Sequence, residues 1–406
     1  MPIESILADH IVPDHVPREL VHYFDFRTGL GSDPHAAIAA LHKGPRVFYS
    51  PVGHQNRGAD SKGTWMLTKA ADIREMLQRT DLFSSAQPRS AAMGETWKFV
   101  PLEMDPPEHA IYRTPLSPLF SPARVKQLEE RMREIAIELI DGIKDKGECE
   151  FVREFGEPFP VRLFLQLMGL PESELPKFRN WADTIVHDRE QRGVAMAEVK
   201  NFLQSQIAER RAKPGDSDLV TAVIAMQAGE RPFNDDEVLG AVFLLFIGGL
   251  DTVVSSLAHH FRYLAEHEHD QQRLRGDASL IPDAVEELFR AFSVVTTARF
   301  VAQDVEFAGV QMKQGDAVTA STVLSNTDPE EFASPEVVDI TRSPNRHNAF
   351  SYGPHRCLGS HLARREIQIA LEEWLKRIPT FRVRPGAEIR ALGGGVLGIE
   401  SLPLIW

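Results

Sequence analysis

Apolar residues along most of this chain recur at helical spacing. Leu128, Met132, Ile135, Leu139 and Ile143 fall three or four positions apart, which places them on one face of an amphipathic helix. The helical pattern holds from Pro122 to about Gln227, and Pro171, Pro176 and the turn Lys213-Pro214-Gly215 divide it into several helices. Asn234 and Glu237 form a capping box ahead of the run Val238–Leu264, predicting a helix of about 30 residues, roughly 45 Å long. Its middle, Leu244 to Val254, is apolar nearly all round, so it should cross the centre of the protein. A short helix is expected around Pro282–Phe292. A last one should run from about Gly359 to Arg377, with Ala363, Ile367, Ala370, Leu371 and Trp374 on one face. Strand-like segments are Arg46–Tyr49, Thr64–Leu67, Val305–Phe307 and Ala317–Ser321. Residues 1–70 otherwise read as irregular, and the chain beyond Pro379 as strand and turn. The fold class is therefore mainly α, with a minor β part at both ends.

Composition narrows the picture. The 406 residues are 43% hydrophobic and 25% charged, the balance of a globular protein with a real core. No repeat or Gly/Ser linker divides residues 1–406, which read as a single unit. The net charge of −13 argues against nucleic acid as a partner, because phosphate binding needs a basic surface. No uninterrupted apolar run reaches the roughly 20 residues of a membrane span. Met1 to Arg18 lack the layout of a signal peptide, so a cytoplasmic protein is expected. Cys149 and Cys357, the two cysteines, do not make a disulfide framework.

Three short segments carry chemistry. Cys357 lies in Phe350-Ser-Tyr-Gly-Pro-His-Arg-Cys-Leu-Gly359, a glycine-containing loop just before a helix. Helix N-termini lower thiol pKa values, so this sulfur suits a metal ligand or a nucleophile. His355 is near enough to act as a base, but no oxyanion arrangement accompanies it. Glu287-x-x-Arg290, taken alone, is an ordinary surface ion pair. In Gly248-Gly-Leu-Asp-Thr252, two glycines weaken a helix and Thr252 can bond back to a carbonyl one turn earlier. An acid beside an alcohol in an apolar helix is costly to bury without a purpose. Gly393–Gly398 satisfies a dinucleotide fingerprint, but no helix follows it. His259, His260, His267 and His269 read as surface residues, and Cys149, between two glutamates, as inert.

Phe350-x-x-Gly353-x-x-x-Cys357-x-Gly359 resembles the haem-binding loop of the cytochromes P450. Glu287-x-x-Arg290 and Gly248–Thr252 stand where that family carries its other two signatures. The resemblance covers nearly the whole chain. It is closest to the bacterial camphor-hydroxylating branch, through Met104-Asp-Pro-Pro-Glu108, Leu362-Ala-Arg-Arg-Glu366 and Leu402-Pro-Leu-Ile-Trp406. It implies a cytochrome P450 fold, with a large helical part around a long central helix and a minor β-rich part. The chain would be one haem domain over 1–406, without a fused reductase or membrane anchor.

The cofactor implied is haem b (iron protoporphyrin IX), with the Cys357 thiolate as proximal ligand, which favours O–O cleavage. Phe350, Gly359 and Gly248 would lie at the cofactor, and His109, Arg113, Arg299 and His355 would bind its propionates. Asp251 and Thr252 would be catalytic, delivering protons for O2 activation. Glu287, Arg290 and Arg342 would hold the proximal face together.

The pocket implied comprises Trp97, Leu102, Leu244, Ile247, Gly248, Val295, Thr297, Gly395 and Val396. Trp97 stands where the branch has a tyrosine that holds camphor's carbonyl, and Lys98 replaces an acid. The reading is hydroxylation of an unactivated C–H bond in a small apolar monoterpenoid (cineole-like) or norisoprenoid (ionone-like); camphor fits less well. Electrons would come from a [2Fe-2S] ferredoxin with an NADH-dependent ferredoxin reductase. The ferredoxin would meet a basic patch of Arg74, Arg79, Arg346, Arg356 and Arg364. Residues 184–196 align poorly and leave the partner of Asp251 open. A peroxygenase using H2O2 and a non-catalytic haem-binding protein are the alternatives, and the Asp251–Thr252 pair counts against both.

Overall fold

The computed structural model describes Glu4 and residues 10–52, 63–86, 96–188, 190–213 and 218–406. The turn at Pro214-Gly215 lies outside them. Ser121 caps the helix Pro122–Asp141 by accepting from the Arg124 amide. That helix lies against the last one, Ser360–Arg377, and Arg133–Glu372 (2.6 Å) and Arg365–Glu129 (3.0 Å) link the two. Between these and the helices Pro158–Leu167, Leu175–His187 and Arg192–Ala212 lies the larger apolar core. Pro171 precedes a short 3-10 turn, whereas Pro176 sits in the first turn of a helix and starts it rather than breaking it.

The capping box forms as predicted. Asn234 Oδ1 accepts from the Glu237 amide at 2.9 Å, and the Glu237 carboxylate accepts from the Asn234 amide at 2.8 Å. The helix that follows is not one uninterrupted rod. It runs Asp235–Leu250, breaks at Asp251 and resumes as Thr252–Glu266. Two glycines weaken the turn before the break, and the Thr252 hydroxyl donates to the Gly248 carbonyl at 3.3 Å, competing with the backbone ladder. By length and composition Asp235–Glu266 would suffice to cross a bilayer, contrary to the sequence expectation. Its apolar window is 61% buried inside the protein, as in a core helix.

The main sheet is ordered Val47–Ser50, Thr64–Leu67, Ala317–Ser321, Thr296–Val301, Phe83–Ser84. Its Thr64–Leu67 and Ala317–Ser321 pairing is parallel and the others are antiparallel. A second apolar core packs under it. Thr296–Val301 was not anticipated, because Thr-Thr-Ala-Arg-Phe-Val shows no clean alternation. The helix Glu108–Leu116 was likewise hidden, being short and carrying Pro115. Strands Ala391–Leu392 and Gly398–Ile399 make a hairpin around the glycine run, and no dinucleotide fold forms there.

Two of the four histidines are not at the surface. His259 and His260 are buried on the long helix, His259 edge-on to His35 and His260 edge-on to Phe289. The helix there packs on its neighbours on more than one side, which periodicity alone did not reveal.

Candidate functional site

The Phe350–Gly359 loop is fixed by its own backbone. The Cys357 amide donates to the Phe350 carbonyl at 2.8 Å, and Ser351 to Asn348 at 2.8 Å. Gly353 has φ +71°, and a Cβ there would lie 2.5 Å from the Leu77 carbonyl oxygen, so only glycine suits it. Cys357 is exposed, although protein surrounds it so closely that desolvation dominates the behaviour of its thiol. Both hold when its open surface lines an internal hollow. Burial raises the thiol pKa despite the Gly359 amide and the charges of Arg113, Arg356 and Arg364. The lowered value expected from its place before a helix is thus corrected, because desolvation outweighs the helix end.

The long helix carries a matching open stripe. Leu244, Ile247, Gly248, Asp251 and Thr252 keep exposed surface, while Val242, Phe243, Leu245, Phe246 and Leu250 are buried. Spacings of three and four put the open set on one face. A Cβ on Gly248 would meet nothing within 4 Å, whereas one on Gly249 would lie 2.5 Å from the Phe164 ring. One glycine leaves space for a ligand and the other lets the helix pack.

Leu102, Val295, Thr297, Gly395 and Val396 are also partly exposed beside buried Val294, Thr296, Ala298 and Leu397. Val295 bridges to Val396, and the Thr296 amide donates to the Gly395 carbonyl at 2.9 Å, which brings these two segments together. Trp97 differs from the rest of the expected pocket. It is 4% exposed, with its ring centroid 5.0 Å from both Phe99 and Phe243, and so backs the wall.

Four basic side chains converge from three elements. His109 and Arg113 come from Glu108–Leu116, Arg299 from the strand Thr296–Val301, and His355 from the cysteine loop. The His109 and His355 rings are 4.4 Å apart, and Arg113 Nη2 donates to the Arg356 carbonyl at 2.7 Å. Arg299 Nη1 donates to the Ala298 carbonyl at 3.0 Å. Burial, then the charges of Arg113 and Arg299, lowers the His109 pKa. His109 Nε2 is buried with no hydrogen-bond partner among the described residues. An orphaned buried nitrogen among cations fits an anionic group, and an open thiol fits a metal ion. The residues present therefore suit a haem with two propionates.

Asp251 sits at the helix break with its pKa raised to about 7, by burial first and then by the carboxylates of Asp183 and Glu157. Glu157 is ion-paired with Arg179, and no spacing along the chain marks it as a neighbour of Asp251. Glu287 and Arg290 are both fully buried and 2.8 Å apart, not a surface pair, and Arg342 joins Glu287 at 3.1 Å. The expected basic patch is weaker than its arginine count. Arg74 pairs with Glu331, Arg79 with Asp81 and Arg364 with Glu286, while Arg346 and Arg356 remain exposed.

The cytochrome P450 family profile matches residues 164–389. The chain is also 40% identical over 405 residues to the probable cytochrome P450 127A1 of Sinorhizobium fredii, covering 97% of each. The chain belongs to the cytochrome P450 family. Nocardicin C N-oxygenase of Nocardia uniformis is 33% identical over 360 residues, covering 84% of this chain and 89% of the relative. Among solved structures, CYP101J2 superposes with a TM-score of 0.87 at 32% identity, covering 97% of this chain and 98% of the other. CYP101C1 gives the same TM-score and identity over 98% and 100%. The fold is that of a cytochrome P450, mainly helical around a long central helix with small β-sheets. This P450 is a monooxygenase with a haem-thiolate iron cofactor, using O2 and a redox partner.

Proposed function

We propose that this P450 hydroxylates an unactivated C–H bond of a small, compact, terpenoid-like molecule, with Cys357 as the iron ligand. The observation that carries the reading is the open stripe on the long helix, where the acid–alcohol pair Asp251–Thr252 shares one face with Leu244, Ile247 and Gly248. When bound, the haem supplies O2 activation and insertion of one oxygen atom.

This chain's residues do the rest. His109, Arg113, Arg299 and His355 would hold the two propionates, and Phe350 and Gly359 would frame the thiolate. Gly248 would leave room for the cofactor against the helix. Thr252 bonds Gly248 at 3.3 Å, a weak contact that its hydroxyl can exchange for a water or a ligand. Asp251, poised near pH 7, can take and release a proton beside that hydroxyl without a large energy gap. Leu102, Val295, Gly395 and Val396 would exclude water around an apolar substrate, with Thr297 as the polar contact and Trp97 as backing.

The 32% identity to two CYP101 structures supports a place near the CYP101 branch. With Trp97 backing the pocket wall, a cineole-like or ionone-like substrate is favoured over camphor. Residues 1–406 would act in the cytoplasm as one haem domain, served by a [2Fe-2S] ferredoxin that meets exposed Arg346 and Arg356 and is itself reduced by an NADH-dependent reductase.

The test is the absorption spectrum of the reduced, CO-treated protein, followed by titration with terpenoids. The expected result is a strongly red-shifted Soret band that Cys357→Ser abolishes, and a spin-state change with a cyclic monoterpenoid or norisoprenoid. A histidine-type band in the wild type would overturn Cys357 ligation. A thiolate band with no response to any terpenoid would overturn the substrate class alone.

A further inference from the structure

Beside the cysteine loop lies a charged pair, Glu286 and Arg364, that neither holds the propionates nor lines the pocket. Arg364 lies on the last helix with its guanidinium carbon 4.2 Å from the centroid of the Phe350 ring. Phe289 meets the same ring edge-on at 4.7 Å. The Phe350 carbonyl in turn accepts the Cys357 amide at 2.8 Å. Arg364 is thus packed on the residue that fixes the sulfur's own backbone.

Glu286 holds Arg364 there. Arg364 Nε donates to Glu286 Oε1 at 2.6 Å and Arg364 Nη2 to Glu286 Oε2 at 2.9 Å, the bidentate geometry that fixes a guanidinium plane. His347 Nε2 lies 2.9 Å from the same Oε2. Glu286 and Phe289 are three residues apart on the Ile281–Ala291 helix, so one face of that helix supplies both the anion and the aromatic edge. Burial alone would raise the Glu286 pKa, but the hydrogen bonds from His347 and Arg364 bring it to about 2, so it is ionised at any working pH. The adjacent Glu287 faces a different partner set, Arg290 and Arg342.

We propose that Glu286 is a positioning residue that sets the reduction potential of the haem iron, by fixing the Arg364 guanidinium on Phe350 and neutralising its charge beside the Cys357 loop. A positive charge near the thiolate favours the reduced iron, and a neighbouring carboxylate offsets it. Glu286 and Arg364 together make a balanced pair whose halves act in opposite directions. The inference rests on Cys357 being the ligand.

Dye-mediated spectroelectrochemistry of the holoprotein tests it. Glu286→Gln should raise the midpoint potential and Arg364→Met should lower it. Each change should be about threefold to tenfold in the one-electron equilibrium constant, a tenfold change being about 59 mV. The double variant should return close to the wild type, and Arg364→Lys, which keeps the charge, should move the potential less than Arg364→Met. A packing defect would not give opposite signs that cancel. Single variants that keep the thiolate CO band yet leave the midpoint unmoved, or move it in one direction, overturn the proposal while Cys357 ligation stands. A wild type without that band overturns the ligation first. If Glu286→Gln does not load haem, the Arg364→Met shift decides: a fall supports the proposal and no change overturns it.

Discussion

Asp251 and Thr252 adjoin each other where the long helix breaks, and their environments differ. The Asp251 carboxyl is protonated more readily than a free one because burial and the charges of Asp183 and Glu157 disfavour its anion. Its contribution to folding is full below pH about 4 and is lost as pH rises through about 7. Asp251→Asn should therefore gain stability relative to the wild type across that window, on the order of 2 kcal/mol at pH 8, allowing for the part of the carboxyl that faces the hollow. Urea titrations at pH 5 and pH 8 would show it; equal differences at both would contradict the raised pKa. The same variant should slow turnover and remove any rate dependence centred near pH 7. Thr252→Ala should leave NADH consumption largely intact but divert it from product, lowering product per NADH severalfold. Unchanged yield would end the proton-delivery role.

Glu366, 3% exposed on the last helix, makes a cleaner thermodynamic case. Desolvation raises its pKa to about 8, so stability falls as pH rises from about 4.5 through 8. Glu366→Gln should melt higher than the wild type at pH 9 and nearly equal to it at pH 4.

At the scale of elements, the long helix is placed by close backbone approach as much as by its apolar surface. A Cβ on Gly240 would sit 1.9 Å from the Lys98 carbonyl oxygen, a backbone atom with little freedom to move. That contact ties the helix to the segment carrying Trp97 and Leu102. Gly240→Ala should cost about 1–3 kcal/mol and disturb substrate-induced spectral change even though residue 240 lies outside the pocket. A variant as stable as the wild type, with unchanged substrate affinity, would show that the segment gives way easily. The capping box, the helix ends near Gly359 and Arg377, and the strands Thr64–Leu67, Val305–Phe307 and Ala317–Ser321 were legible because each depends on local signals. The break at Asp251 was not, because an apolar run with two glycines reads equally well as a straight helix. Glu108–Leu116 and Thr296–Val301, which carry His109, Arg113 and Arg299, are short elements whose neighbours supply their stability.

At the scale of the whole molecule, Glu287 links parts of the chain far apart in sequence. Its carboxylate accepts from Arg290 at 2.8 Å, the Asp339 amide at 2.9 Å, Asn345 at 3.0 Å and Arg342 at 3.1 Å. The Arg290 guanidinium also donates to the Asn326, Pro335 and Val337 carbonyls, gathering the irregular stretch before the cysteine loop. Glu287→Ala would leave Arg290 charged in a fully buried place, at a cost of about 3–5 kcal/mol. The expected outcome is little folded, haem-loaded protein on expression. Normal haem content would mean that the loop stands without this network.

By itself the sequence determined the mainly helical class, the ends of its major helices, and the loop, acid–alcohol and Glu-x-x-Arg segments by which the family is recognised. Each is written in a few neighbouring residues, and local chemistry needs no fold to be read. Only the tertiary structure decided which charges meet. It buried Glu287 and Arg290, which spacing alone would leave at the surface, and buried His259 and His260. It paired three of the five expected docking arginines with carboxylates, and set Glu286 and Arg364 against Phe350 beside the thiol. Desolvation and ion pairing depend on what the rest of the chain brings within a few ångströms, and partners 78 residues apart, as Glu286 and Arg364 are, leave no periodic trace along the chain.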